Sequence, residues 1–161
     1  MSESNQPYEP PRSRVADTAE RAPRPILGLI LGATADIGGT LVAGILVSIV
    51  YSLQMASEGM SPEEMAEALA KMPLDSPLGI TALMAGLLCS VWGGYVCAGF
   101  AFAAPFKWGG ILATIVCVVG LLMGGSGHEP GVEIALLAGT FASVLAGVWL
   151  RESRRETQKS G

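Results

Sequence analysis

"ILGLILGATADIGGTLVAGILVSIVYSL", residues 26–53, holds one charged side chain, Asp36, in an otherwise uncharged run. An α-helix rises about 1.5 Å per residue, so roughly 20 apolar residues cross a hydrocarbon core about 30 Å thick. The stretch therefore predicts a transmembrane helix. Three further runs read the same way: 78–102, 108–123 (ended by "GGSGHEPG") and 132–150. Glu133 lies in the first turn of the last run, where the helix dipole favours a carboxylate.

Working outward, half of the 161 residues are apolar and only 15% are charged, against about 25% in soluble domains. The charges gather at the ends. Residues 1–25 are polar and proline-rich and read as a disordered tail, not a cleavable signal. Residues 151–161 form a second polar tail. The expected fold is all-α: a polytopic membrane protein whose residues 26–150 form a compact four-helix bundle.

Basic residues set the expected orientation. Arg12, Arg14, Arg21 and Arg24 precede the first span, Lys107 lies in the second loop, and Arg151, Arg154, Arg155 and Lys159 follow the fourth. Lys71 is the one exception among the ten Lys and Arg residues. The positive-inside rule assigns this side to the cytoplasm, with both termini on it. For a bacterial chain the membrane is the inner one. In the first outer loop, "SPEEMAEALAKM" has Ser61 as N-cap, Pro62 at the first helical position and Glu64 closing a capping box. Met65, Leu69 and Met72 give that helix an apolar stripe, suited to the membrane surface or the mouth of the bundle.

Helices in lipid associate through close backbone contact at small residues. Such a seam runs through Gly28, Gly32, Asp36, Gly39 or Thr40, and Ala43 in the first span. Another runs through Ala82, Gly86, Ser90, Gly93 or Gly94, and Cys97 in the second, and a third through Ala135, Gly139, Ser143 and Gly147 in the fourth. The third span has a weaker seam and is expected to face lipid more. "GGTLVAG" (38–44) and "GGYVCAG" (93–99) share a pattern. An inverted repeat and a shared demand for tight packing both account for it.

"ADIGGT" and "GGYVCAGFA" resemble segments of small, mostly uncharacterised bacterial four-helix integral membrane proteins with Asp-x-Gly-Gly and Gly-Gly-Tyr-Val-like segments. In those an arginine is expected shortly after the tyrosine; here the stretch offers Lys107. The resemblance implies the four-helix fold and no particular activity.

Asp36 lies on a seam, so it is expected to face the bundle, about 15 Å deep at about 1.5 Å per residue. Counting equal depth in the other spans brings Trp92, Cys117 and Thr140 to its level, with Tyr95, Thr114 and Ser143 one turn away. Trp92, Tyr95, Thr140 and Ser143 can each donate a hydrogen bond to it. No Lys, Arg or His lies within a span, so the chain offers Asp36 no salt bridge. In a structural reading Asp36 ties the first helix to Trp92 or Thr140. In a functional reading it exchanges a proton or a small cation.

Small multidrug carriers also have four helices and one carboxylate in the first. They are shorter, with balanced basic loops and a glutamate flanked by aromatic residues, and this chain differs on each point. Cys89, Cys97 and Cys117 read as small apolar side chains, and His128 beside Glu129 as a solvated turn. No catalytic, cofactor or metal motif is visible, so no enzyme, cofactor or metal is expected. The expected partners are the lipid bilayer and either further copies of the chain or another membrane protein. The mixed charges of "RESRRETQKSG" point to lipid headgroups rather than nucleic acid.

Overall fold

The computed structural model describes residues 23–70, 75–124 and 129–159. Five helices account for almost all of them: α1 (Pro25–Ser57), α2 (Pro62–Ala70), α3 (Pro77–Phe100), α4 (Pro105–Gly124) and α5 (Pro130–Lys159). Each opens on a proline, whose fixed φ and missing N–H suit the first helical position. Apolar runs alone therefore place the starts one to three residues late. α1, α3, α4 and α5 are each long and apolar enough to cross a membrane, and they pack into one bundle. The protein is a multi-pass membrane protein.

Local chemistry closes the ends. α1 runs past Leu53 and stops where Gly59 takes φ +81°, a left-handed conformation that glycine adopts without strain. The Met60 N–H then bonds the Met55 carbonyl (3.2 Å) and the Gly59 N–H bonds that of Ala56 (3.1 Å), which satisfies carbonyls that a helix end leaves orphaned. At α2 the Ser61 N–H donates to Glu64 Oε2 (2.8 Å), so the capping box forms. That bond holds the exposed Glu64 carboxyl below its ordinary range. Ser76 Oγ caps α3 by accepting from the Gly79 N–H (3.0 Å). α5 does not stop at Leu150: the expected tail continues the helix through Lys159. No proline or glycine interrupts that segment, and Arg155 Nη1 pairs with Glu152 Oε1 one turn back (2.8 Å).

α3 and α4 lie between α1 and α5, which do not touch each other among the described residues. Cys97, Leu112, Ala113 and Val144 form the fully buried centre, with Leu29, Ala33, Trp108 and Val116 against it. This corrects the expectation for α4, which places Leu112 and Ala113 in the core and sets Gly109 close against Val148 of α5.

The seams between the other helices are very close. A methyl group on Gly32 would lie 2.8 Å from the Gly93 carbonyl, and one on Gly93 2.8 Å from both the Gly32 carbonyl and Asp36 Cβ. A methyl group on Gly28 would lie 2.8 Å from the Cys97 carbonyl, and one on Gly39 2.9 Å from Cys89 Sγ. On the other side of α3, Gly94 abuts the Val144 carbonyl and Gly147 the Val91 carbonyl. A methyl group on Gly139 would make only an ordinary contact with Leu87 (3.7 Å), and one on Gly86 would meet nothing within 4 Å. Crossing helices stay in backbone contact over only a few turns. Gly86 lies beyond that zone, one residue triplet past the Gly39–Cys89 contact.

Beyond it the outer half of α1 leaves Leu41, Ile45, Leu46, Ile49 and Leu53 exposed, while Met55 near its end is buried. Among the described residues α2 touches only α1, so it folds against this outer half and does not cover the bundle mouth. Met65 faces a groove along α1, while Lys71 and Met72 lie outside the described residues. In the two matched segments Gly39 and Gly94 both sit tight against a neighbouring helix, Gly44 and Gly99 both have room, and only the open Gly38 differs from the tightly packed Gly93. Shared demand for close packing is enough to account for the echo.

Candidate functional site

Asp36 is 1% exposed, the most deeply buried charged-type side chain among the described residues. Gly32 and Gly93 bring α1 and α3 together one turn away, which encloses its Cβ. Its partner is Ser90, itself buried, whose hydroxyl donates to Asp36 Oδ1 at 2.9 Å. Asp36 Oδ2 has no hydrogen-bond partner among the described residues.

The other donors expected around Asp36 are used elsewhere. Trp92 is 60% exposed and stacks on Tyr95, with ring centroids 5.8 Å apart and 17° between planes. The Tyr95 hydroxyl accepts from Arg151 Nη1 (2.8 Å). Thr140 Oγ1 donates back to the Leu136 carbonyl of its own helix (3.0 Å), a common use of threonine inside a helix. Ser143 is half-buried on α5, a helix that does not touch α1. The expected five-residue layer is thus corrected to a pair, Asp36 and Ser90.

Helix register explains the difference. The Arg24 N–H donates to the Phe100 carbonyl (3.1 Å), so the start of α1 is level with the end of α3. Ten residues along each helix from Ile26 and Phe100 reach Asp36 and Ser90. Counting instead from Phe102, as the apolar run suggests, arrives at Trp92. Phe102 lies outside α3, which ends at Phe100. Ser90 was visible on the α3 seam at the correct spacing. Seam membership, which follows helix rotation, carries the signal for Ser90 that the depth count passes over.

Asp36 is packed against Gly93 and Ser90, and it lines neither the α1 groove nor a cavity at the other end of the bundle. That cavity, about 510 Å³, lies at the basic end and is lined by Arg24, Arg151, Tyr95, Trp92 and apolar side chains. Two residues of the expected layer, Trp92 and Tyr95, therefore belong to a different place. The three cysteines are free. Cys97 is in the core, and Cys117 Sγ lies 3.7 Å from the Leu137 carbonyl. His128 lies outside the described residues. No family model, curated protein or solved structure matches the chain.

Proposed function

We propose that this protein is a non-enzymatic structural or accessory component of a bacterial inner membrane, with both tails in the cytoplasm. The observation that carries the reading is the state of Asp36. It is 1% exposed and bonded to Ser90 of the adjacent helix. A carrier's ionisable group must meet water on alternate sides of the membrane. The orientation rests on the basic residues Arg24, Lys107, Arg151, Arg154 and Arg155 gathering at one end. The exposed outer half of α1 supports association with further copies or a membrane partner. It presents Thr40, Gly44 and Ser48 at four-residue spacing along its groove, and small residues of this kind allow close helix approach.

The test is proton flux in proteoliposomes under an imposed pH gradient, comparing the parent with Asp36→Asn. Equal, background flux is expected. A saturable flux lost only in the variant would overturn the reading. It would favour the second one, a proton- or cation-coupled carrier using Asp36, which the unpartnered Oδ2 recommends.

A further inference from the structure

The basic end of the bundle holds a cavity of about 510 Å³, a size typical of small-molecule sites. Arg24, at the start of α1, lines one part of it, and Arg151, on α5, another. Neither arginine has an ion-pair partner among the described residues, and no carboxylate lines the cavity. Arg155, one turn further along α5, is the contrast. Its guanidinium pairs with Glu152 at 2.8 Å and also lies against the Gly99 carbonyl (3.4 Å). Glu152 is taken by Arg155, so among the described residues no carboxylate compensates the two cavity arginines.

Arg151 is also held in place. Its Nη1 donates to the Tyr95 hydroxyl at 2.8 Å, its Cζ lies 4.8 Å from the centre of that ring, and the ring is stacked on Trp92. Arg151 Nε is buried without a hydrogen-bond partner, so the fork's donor set is incomplete. A fixed guanidinium fork is suited to phosphate. The remaining walls, Leu27 and Val96 among them, are apolar. Leu27 and Trp92 are also exposed on the outside of the bundle, where acyl chains lie.

We propose that this cavity binds the phosphate-bearing headgroup of an anionic membrane lipid between Arg24 and Arg151, with its acyl chains against Leu27 and Val96. A free phosphate shares the headgroup chemistry but makes no use of the apolar walls. The inference rests on the membrane fold and is independent of the role of Asp36.

Native mass spectrometry of the full chain in a neutral detergent tests it, with phosphatidylglycerol and phosphatidylcholine as probes and inorganic phosphate as competitor. One phosphatidylglycerol per chain should be retained about tenfold more strongly than phosphatidylcholine. Arg24→Gln and Arg151→Gln should each weaken it by about tenfold, and Lys107→Gln, at the same end but outside the cavity, by less than about twofold. Equal loss in Lys107→Gln would show general surface charge and overturn the site. Equal retention of the zwitterionic lipid would do the same. Displacement by equimolar inorganic phosphate would replace the lipid with a soluble anion. Helicity by circular dichroism guards the comparison. If Arg151→Gln does not fold, Arg24→Gln decides, because its side chain makes no hydrogen bond or ion pair among the described residues.

Discussion

Gly147→Ala should separate α3 from α5. The added methyl group would press on the Val91 carbonyl and lie 2.8 Å from the Tyr95 amide nitrogen, where ordinary contact begins at 3.4 Å. Both neighbours are backbone atoms and cannot rotate away. The helices must therefore part by on the order of 1 Å, a gap that forfeits a quarter to a half of each dispersion contact across it. Overpacking of this kind costs about 1–3 kcal/mol, and a rigid backbone neighbour puts this site at the upper end. Better helix propensity returns up to about 1 kcal/mol, so the net loss is about 2 kcal/mol. Gly86→Ala supplies the control: nothing lies within 4 Å of the added group, and only the propensity gain remains. The two variants should differ by about 3 kcal/mol, or about 6–12 °C in apparent Tm for a chain of this size. Thermal unfolding of both in one detergent measures this. Equal melting of the two variants would refute the packing assigned to α3 and α5.

Three further outcomes follow from other parts of the fold. Because the Ser61 amide holds Glu64 below its ordinary range, the capping box contributes fully above the unfolded glutamate pKa and is lost as pH falls through the folded one. The Ser61 amide resonance should titrate with a midpoint below that of a free glutamate, and in Glu64→Gln it should not titrate. Single cysteines placed at either tail, in a background with Cys89, Cys97 and Cys117 replaced, should resist membrane-impermeant thiol reagents in intact cells; labelling of either tail would invert the topology. Gly44→Leu fills the α1 groove without touching the bundle. It should shift cross-linked species toward the monomer while leaving apparent Tm within about 2 °C, since it breaks no internal contact.

Four spans, the α2 capping box and most packing glycines were legible in the sequence, because hydropathy, capping and small-residue spacing are local signals. Helix ends were less so. Pro25, Pro77, Pro105 and Pro130 mark the starts better than the apolar runs do, and nothing apolar announces that α5 continues through the charged segment to Lys159. The partner of Asp36 depended on long-range register. An offset of two residues at the end of α3 exchanges a buried serine for an exposed tryptophan. The cavity at the basic end was illegible for the same reason: Arg24, Tyr95 and Arg151 are far apart in the chain and meet only through packing.

The central claim is that Asp36 and Ser90 join α1 to α3, and a double-mutant cycle on thermal stability in mild detergent tests it most directly. Asp36→Ala and Ser90→Ala should each lower stability, with a coupling between them of about 0.5–1.5 kcal/mol, the range of hydrogen bonds between membrane helices. Asp36→Asn, which keeps an acceptor oxygen for the Ser90 hydroxyl, should recover most of the loss. If Asp36→Ala and Asp36→Asn both melt above the parent and the coupling is zero, the carboxyl group is a stability liability. The helix-joining role would then be contradicted.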